Sequence, residues 1–362
     1  MSVYIEAIVV LGILGGVLSA LLALAGRRLA NYGPCSVKIN EREPIIVEGG
    51  GKLLETLYDQ SIFIPSACGG QGTCGYCKVE VVSGGGTVFP TEIPFLNESE
   101  LQRGVRLACQ VKIKQDIQIH VEESLLNIKE FRARVSRVRK LTHDTRELEI
   151  KLSEPATMEF IPGQYVQVLV PGKGERIFRA YSISSPPAND NTIELVVRLI
   201  PGGVGSTYLH RVEVGDEITL TGPYGDFELD EDKKTELICV GGGCGIAPMH
   251  SIIRHLQITQ PKKPCTLFLG AATADDIMYQ EEFSELKKKM SHFEIHYALS
   301  DPGASPEWEG ERGHIHELVE KLVKDKPGRQ AFLCGPPVMI EAVSRVLQSK
   351  SFTKDRIFYD EF

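Results

Sequence analysis

The chain opens with a long apolar segment. Residues 7–25 contain no charged side chain, and as a helix they would span about 28 Å, close to the hydrocarbon thickness of a bilayer. The segment therefore predicts a transmembrane helix. Arg27 and Arg28 follow it, whereas Glu6 is the only charged residue before it. The positive-inside rule then places the N-terminus outside and the rest of the chain in the cytoplasm.

A cleaved signal peptide is the alternative interpretation of this segment, since Ala23-Leu24-Ala25 resembles a cleavage site. Three features favour an anchor. The first residues lack Lys and Arg, the apolar run is long for a signal peptide, and the positive charges lie on its C-terminal side.

Three further regions follow, each with its own periodicity. After an anchor region at residues 1–33, residues 34–125 predict a small β-grasp-like domain, with strands over 36–40, 44–47, 78–82 and 111–121 and a helix over 52–60. Residues 126–232 alternate in the manner of an antiparallel β-barrel, with strands over 131–139, 147–152, 165–170, 193–199 and 217–220.

Residues 233–362 alternate between apolar strands and amphipathic helices, which predicts a doubly wound parallel sheet. The predicted strands cover 236–240, 266–269, 292–299 and 331–334, and the predicted helices cover 246–257, 281–290, 314–323 and 337–347. The fold class is thus multidomain, α+β followed by α/β.

Composition adds little beyond excluding one class of partner. The chain is 24% charged and 42% hydrophobic with a formal net charge of −8, which is ordinary for globular domains. It has no basic stripe, so the sequence argues against nucleic acid as a partner.

Four cysteines carry the most specific chemical signal. Cys68, Cys74 and Cys77 lie on one glycine-rich segment, and Cys109 follows at a distance. Such a set predicts the ligands of a 2Fe–2S cluster, although five residues separate the first two cysteines where plant-type ferredoxins have four. A zinc site usually needs two short Cys pairs, and a cytoplasmic chain keeps its thiols reduced, which disfavours a disulfide.

The glycines of this segment should allow backbone N–H groups to approach the cluster, because Gly adopts dihedral angles that other residues avoid. They are Gly69, Gly70, Gly72 and Gly75. The remaining cysteines that we expect as packed, free thiols are Cys35, Cys239, Cys244 and Cys265.

Two segments of the barrel region predict a flavin site. Arg179, placed just after a predicted strand, can pair with a pyrophosphate, Tyr181 can stack on an isoalloxazine ring, and Ser182 can reach its reactive nitrogen. Downstream, a glycine-rich turn before a short helix predicts a phosphate cradle with Gly205, Ser206 and Thr207. Each segment alone could be an ordinary strand or turn, but together they predict FAD binding.

A second glycine-rich turn joins the first strand of the α/β region to its helix. It contains Gly241, Gly242, Gly243, Gly245 and Pro248, and the pattern predicts a pyrophosphate site at a helix N-terminus. After the next strand, Asp275 and Asp276 stand where a 2′-phosphate would need Arg or Lys, which favours NADH. Cys334 and Gly335 end a later strand. Cys334 either faces the ligand crevice at the carboxyl edge of the sheet or is a small buried residue of the core.

Together these residues resemble the ferredoxin–NADP reductase superfamily, and most closely the family of the F subunit of the sodium-translocating NADH:quinone reductase, over essentially the whole chain. The matching features are the five-residue cysteine gap, Arg179-x-Tyr181-Ser182, the motif at residues 222–227 and the turn at 241–248. Cys334 matches a cysteine beside the nicotinamide, and Phe362 matches a terminal phenylalanine near the flavin. Ala272 and Cys244 depart from the family pattern.

The resemblance implies an NADH-dependent oxidoreductase. Hydride would pass from NADH to FAD, with Tyr181, Ser182 and Cys334 at the reacting atoms, and single electrons would then pass through the cluster to a membrane acceptor. It implies integral membrane redox subunits as partners, ubiquinone reduction, sodium transport and a single-pass location in the bacterial inner membrane. The alternatives are an anchored NADH-dependent reductase of an oxygenase or another redox protein, and an electron-carrier module without NADH activity.

Overall fold

The computed structural model describes residues 10–21, 32–172, 176–225, 227, 229, 232–301, 303 and 305–361. The chain divides into two compact units, Met1–Asn127 and Ile128–Phe362. The first contains the four cysteines of the predicted cluster, and the second contains both predicted nucleotide sites.

Residues 10–21 form a helix, α1, within the apolar segment. Its side chains are exposed, with large apolar residues such as Leu11 and Leu14 at 69% and 65% exposure. Among the helices that the structure describes, none is both long and apolar enough to cross a bilayer. Residues 7–9 and 22–25 of the predicted span lie outside the described residues.

Unit 1 is a mixed five-stranded sheet with short helices. Its strands are β1 (Pro34–Ile39), β2 (Ile45–Glu48), β3 (Lys78–Ser83), β4 (Val105–Leu107) and β5 (Ile117–His120), and the strand order is β2-β1-β5-β3-β4. The β1–β5 pair is parallel and the other neighbours are antiparallel. This arrangement agrees with the β-grasp-like domain that the sequence predicts.

The helices of unit 1 are α2 (Leu53–Asp59), α3 (Glu98–Gln102) and α4 (Glu123–Leu126). α2 buries Leu53, Leu54 and Leu57 because these positions share one helical face. α3 begins with a capping box, in which Asn97 and Glu100 satisfy each other's backbone N–H groups. The sequence predicts one long strand at 111–121, but residues near Val111 and Ile113 instead hydrogen-bond to the loop before α2.

The first half of unit 2 is a six-stranded antiparallel barrel with strand order β10-β7-β6-β11-β8-β9. Its strands are β6 (Lys129–Lys140), β7 (Thr145–Glu154), β8 (Tyr165–Val170), β9 (Ile177–Ser182), β10 (Thr192–Arg198) and β11 (Glu217–Tyr224), and α5 (Val204–Leu209) follows β10. An antiparallel bridge between Ile183 and Leu195 connects the two edge strands. Alternate residues of β6, β7, β8, β10 and β11 face a common apolar core, as the predicted period of two requires.

The second half of unit 2 is a six-stranded parallel sheet with order β15-β14-β13-β12-β16-β17. Its strands are β12 (Leu237–Gly242), β13 (Cys265–Ala271), β14 (Phe293–Leu299), β15 (Glu311–Arg312), β16 (Gln330–Gly335) and β17 (Ile357–Glu361). Its helices are α6 (Ile246–Thr259), α7 (Gln280–Lys289), α8 (Ile315–Leu322) and α9 (Pro337–Ser349). The chain leaves β12 toward β13 and later returns to pair β16 on its other side, which creates a topological switch point beside β12.

Side chains of the barrel and of the nucleotide-sheet half meet in a network of ion pairs. Arg139 of β6 binds Glu147 of β7 and also Glu282 of α7, the latter at 2.6 Å. The Tyr279 hydroxyl donates to the buried Glu147 carboxylate at 2.7 Å, and His250 of α6 contacts Glu282 at 3.1 Å. These contacts fix the two halves of unit 2 relative to each other.

Candidate functional site

The four cysteines of unit 1 are arranged as two pairs. The Sγ atoms of Cys68 and Cys74 are 3.4 Å apart, and the Cys77 and Cys109 thiols are close enough for each to shift the pKa of the other. Cys77 and Cys109 are almost fully buried, whereas Cys68 and Cys74 are partly exposed. A two-plus-two arrangement matches a cluster with two irons, each of which takes two thiolates.

Each pair combines a thiol that donates with a sulfur that accepts. The hydrogen bond from Cys74 lowers the pKa of Cys68 to about 3, and the same bond, together with burial, raises the pKa of Cys74. In the same way the hydrogen bond from Cys77 lowers the pKa of Cys109 to about 7. One sulfur in each pair therefore favours the thiolate form that binds iron.

The backbone of the cysteine loop has the conformation that the sequence predicts. Gly69, Gly70, Gly72 and Gly75 all have φ between 67° and 82°. Among the described residues no group of three or more His, Cys, Asp or Glu side chains meets the geometry for a single metal ion. The donor set and the loop thus fit a 2Fe–2S cluster.

The predicted flavin residues come together in the barrel. The sequence predicts that Arg179, Tyr181 and Ser182 follow a strand, whereas the structure places all three within β9. Arg179 and Tyr181 both face the start of α5. A Cβ atom on Gly205 would lie 2.7 Å from Arg179 Cγ and 2.8 Å from the Tyr181 hydroxyl. The glycine therefore allows the helix to approach the strand closely. We call this arrangement the cradle, because the sequence predicts that it binds the phosphate end of a flavin nucleotide.

The residues of the cradle differ in the hydrogen bonds that they form in the structure. Arg179 Nη1 donates to the Phe178 carbonyl at 2.8 Å. Burial raises the pKa of Tyr181 to about 12, so the phenol is neutral at physiological pH. Ser206 Oγ accepts from the Ile200 N–H at 3.1 Å and shapes the turn before α5, while Thr207 begins the helical hydrogen bonds by donating its N–H to Gly203.

A cavity of about 570 Å³ opens at the carboxyl ends of β12, β13, β14 and β16, at the topological switch point. Its size is typical of a small-molecule site. The barrel supplies one wall through Thr142, Asp144, Thr145 and Arg198. A dinucleotide in this cavity would therefore contact the barrel and the nucleotide sheet together.

Only part of the predicted dinucleotide turn lines this cavity. Gly242 and Gly243 line it, while Gly245 packs so closely on β16 that a Cβ atom there would lie 1.9 Å from the Cys334 carbonyl oxygen. The structure thus gives Gly245 a packing role at the turn. The other turn residues, Gly241 and Pro248, are buried around it.

Cys334 is 1% exposed and belongs to the apolar core beneath the cavity. Burial raises the pKa of its thiol well above the ordinary value. Gly335 follows it with φ of 155° and packs on Met339. Phe362, the other residue that the sequence places near the flavin, lies outside the described residues.

Polar side chains that belong to none of the sequence motifs also line the cavity: Arg198, His314, His316 and Arg345. Arg198 Nε donates to Asp144 at 2.7 Å. Burial alone would raise the pKa of Asp144, but Arg198 and the hydroxyls of Thr145 and Thr142 lower it below its ordinary value. No motif marks these positions, because tertiary packing alone brings them to the glycine turn.

The chain matches three domain families in order. Residues 37–114 match the 2Fe-2S iron-sulfur cluster binding domain, residues 132–229 the oxidoreductase FAD-binding domain, and residues 239–345 the oxidoreductase NAD-binding domain. Each match covers the part of the structure that holds the corresponding candidate site.

Curated relatives match nearly the whole chain. The F subunit of a Na(+)-translocating NADH-quinone reductase from Marinomonas sp. (strain MWYL1) is 32% identical over 95% of both chains. The F subunit of the same enzyme from Neisseria gonorrhoeae is 33% identical over 95% of this chain and 96% of its own. The chain belongs to the family of Na(+)-translocating NADH-quinone reductase F subunits. As a member of this family, it is an NADH-dependent oxidoreductase whose cofactors are a 2Fe–2S cluster, FAD and NADH.

Solved structures similar to this F-subunit family member include reductases that serve oxygenases. A cytochrome P450 reductase from Amycolatopsis is 30% identical with a TM-score of 0.72, covering 91% of this chain and 98% of its own. A ferredoxin reductase of carbazole 1,9a-dioxygenase is 27% identical with a TM-score of 0.69 and the same coverage.

Proposed function

We propose that the chain is the NADH-oxidising subunit of a membrane-bound Na(+)-translocating NADH:quinone reductase. The near full-length match to relatives of that name supports the assignment to this complex. The observation that carries the NADH-oxidising role is the cavity at the glycine turn, one wall of which belongs to the flavin-binding barrel. Such a cavity holds a nicotinamide nucleotide against the domain that binds the flavin.

Within unit 2 we assign the flavin cradle to Arg179, Tyr181 and Ser182 of β9 and to Gly205, Ser206 and Thr207 of α5. The close approach of α5 to β9 supports this assignment. The Arg179 guanidinium offers a planar pair of donors to a pyrophosphate, and Tyr181 offers a neutral aromatic face. The chemistry that FAD held by these residues would supply is acceptance of hydride from NADH and release of single electrons to the cluster.

We assign the cluster to Cys68, Cys74, Cys77 and Cys109, and NADH to the cavity beside Gly242 and Gly243. The paired sulfurs and the burial of Cys77 and Cys109 support the first assignment. In support of the NADH assignment, the glycine turn is shaped by Gly241, Gly245, Pro248 and Gly335. Cys334 lies in the apolar core beneath this turn. The domain limits that accompany these assignments are 34–125, 126–232 and 233–362.

We also propose that residues 1–33 anchor the chain by a single helix over 7–25, with the N-terminus outside and both units on the cytoplasmic face of the bacterial inner membrane. The uncharged sequence, the two following arginines and the exposure of the large apolar residues of α1 support this placement. Exposed leucines at that density need lipid or protein to cover them.

Purification from native membranes in mild detergent tests the assignment to the complex. We expect polytopic membrane proteins to copurify in fixed ratio with the chain. Recovery of the chain alone, or with a soluble oxygenase, contradicts the assignment to the quinone reductase.

NADH oxidation has a separate test. Anaerobic addition of NADH should bleach a flavin bound in stoichiometric amount, and an unbleached flavin would exclude this chemistry. Replacement of Gly242 by Val, which fills the cavity wall, should abolish bleaching by NADH while dithionite still reduces the flavin.

A second candidate function is an anchored NADH reductase of an oxygenase. The similarity to two oxygenase reductases over 91% of the chain favours it. Both functions share the cofactors and the hydride step, so only the acceptor separates them, and the copurification experiment above distinguishes the two.

A further inference from the structure

Gln110, the residue after the last predicted cluster ligand, hydrogen-bonds to the sulfur of Cys109. Gln110 Nε2 lies 3.6 Å from Cys109 Sγ and donates a hydrogen bond to it. One candidate cluster ligand thus receives a side-chain donor.

The Gln110 side chain is held from its other end. Its Oε1 atom accepts a hydrogen bond from the Thr91 hydroxyl at 3.2 Å, which fixes the amide so that its NH₂ group points at Cys109. Gly72 closes the remaining side, because a Cβ atom there would lie 2.4 Å from Gln110 Nε2. The amide therefore fits between Thr91 and the cysteine loop in one orientation.

Thr91 is itself placed by a buried ion pair. The next residue, Glu92, is fully buried and binds Arg106 at 2.6 Å. Its carboxylate also accepts from the N–H groups of Phe89 and Leu107, and Arg106 further donates to the Gly85 and Gly86 carbonyls. The segment that carries Thr91 is thereby fixed to β4, the strand that leads into Cys109.

From this geometry we propose that Gln110, oriented by Thr91, is a positioning residue that sets the reduction potential of the cluster. The inference deepens the proposed function and rests on its assignment of Cys109 as a ligand. An N–H donor places partial positive charge beside a sulfur that becomes more negative when the cluster gains an electron. The hydrogen bond therefore stabilises the reduced form and raises the potential.

A redox titration of the purified full-length chain, followed by the EPR signal of the reduced cluster with dithionite as reductant, tests the proposal. Gln110→Leu removes the donor at nearly constant volume. We expect about a tenfold fall in the ratio of reduced to oxidised cluster at a given potential, which is a shift of about 59 mV to lower potential for a one-electron couple. The matched control Gln115→Leu alters an exposed glutamine of the same domain and should leave the potential unchanged.

A second pair of variants leaves Gln110 in place. Thr91→Val removes the hydroxyl that orients the amide and should lower the potential by a smaller amount, whereas Thr91→Ser keeps the hydroxyl and should match the wild type. If Gln110→Leu assembles no cluster, this pair decides the question, and a wild-type potential in Thr91→Val overturns the proposal.

A wild-type potential in Gln110→Leu with full cluster content also overturns the proposal, as does an equal shift in Gln115→Leu. Failure of the proposed function has a different signature, since it would be a wild-type chain without a cluster signal or with a cluster that survives loss of Cys109. Because dithionite replaces NADH, the readout does not depend on activity.

Discussion

At the scale of single residues, Gly205 decides how closely the two segments of the proposed flavin cradle, β9 and α5, approach each other. A methyl group there would overlap both Arg179 and the Tyr181 hydroxyl. We expect Gly205→Ala to weaken FAD binding by roughly tenfold to a hundredfold, the equivalent of one lost hydrogen bond to a charged group, about 1.5–3 kcal/mol. Flavin content per chain after gel filtration measures the effect.

Gly172→Ala is the matched control for that variant, because a Cβ atom at Gly172 would have no neighbour within 4 Å. Alanine is also the better helix former, so a loss of FAD in Gly205→Ala cannot come from weakening of α5 itself. Full flavin content in Gly205→Ala would show that the cradle does not hold FAD.

Two cysteines near the nucleotide turn should differ in reactivity. Cys244 lines the cavity and is partly exposed, and burial raises its pKa to about 11. Cys334 is buried in the core. We expect a small thiol reagent at alkaline pH to modify Cys244 slowly in the free enzyme, and NAD⁺ to protect it severalfold, while Cys334 stays unmodified in both.

Peptide mass mapping measures that protection, and the same chain labelled after unfolding gives the reference for complete modification of each cysteine. Equal labelling of Cys244 with and without NAD⁺ would place the nucleotide elsewhere.

The residue types of the candidate sites were predictable, whereas their distances were not. The sequence predicts Arg179 and Gly205 as parts of one flavin site because both belong to short motifs. Their contact depends on the closure of the barrel, which brings together positions far apart along the chain. Arg198 and His316 belong to no motif, so only the folded cavity identifies them.

At the scale of elements, α6 meets α7 through a buried histidine. His250 is 1% exposed and stacks on Tyr279 with ring centroids 4.0 Å apart. Its Nε2 hydrogen-bonds to the Glu282 carboxylate. Its Nδ1 has no hydrogen-bond partner among the described residues. Burial lowers the pKa of His250 below its ordinary value, since a proton on Nδ1 would be left without an acceptor.

The lowered pKa of His250 predicts that the stability of unit 2 depends on pH. Between the unfolded pKa of about 6.5 and the lower folded value, the unfolded chain binds more protons at this site. Stability is therefore complete above about pH 6.5 and falls as the pH drops, by at most about 1.4 kcal/mol per pH unit. We expect His250→Gln, which stays neutral, to flatten this slope in urea unfolding of unit 2 between pH 5 and 7.

His292→Gln, at an exposed histidine of the same half, is the control and should keep the wild-type slope. An unchanged slope in His250→Gln would mean that His250 does not titrate differently in the two states. The hydrogen bond from His250 and the pairing with Arg139 lower the pKa of Glu282 to about 2, so its own contribution is lost only at more acidic pH, between about 4.5 and 2.

Strands and helices with strong periodicity were predicted close to their observed bounds. β8 and β14 are examples, because each carries a continuous apolar face. The short β4 and the C-terminal β17 were not predicted, since three to five residues carry too little pattern. The strand predicted over 111–121 was too long because the residues after Cys109 turn toward α2.

At the scale of the whole molecule, both nucleotide sites lie within one compact unit. Unit 2 runs from Ile128 to Phe362 and contains the barrel, the cavity and the ion pairs between them. We expect a chain reduced to residues 128–362 to bind FAD and to oxidise NADH with ferricyanide at close to the full-length rate. Because it lacks the domain with the four cysteines, it should not reduce acceptors that receive their electrons from the cluster.

Ferricyanide turnover and stopped-flow reduction of the flavin by NADH measure the first expectation. Quinone reduction by reconstituted membranes measures the second, and a chain of residues 34–362, which lacks only the proposed anchor, is its control. A chain of residues 128–362 that binds FAD but reacts with NADH more than tenfold slower would mean that unit 1 contributes to the hydride step.

The C-terminal strand has a practical consequence for work on this enzyme. β17 runs parallel to β16, with Asp360 opposite Cys334 and Glu361 opposite Gly335, so β17 ends at the same edge of the sheet at which the cavity opens. An affinity tag fused behind β17 would therefore emerge on the side of the sheet where we propose that NADH binds, rather than on a remote surface. Kinetic constants should therefore be measured on protein tagged in another place, or after the tag has been removed.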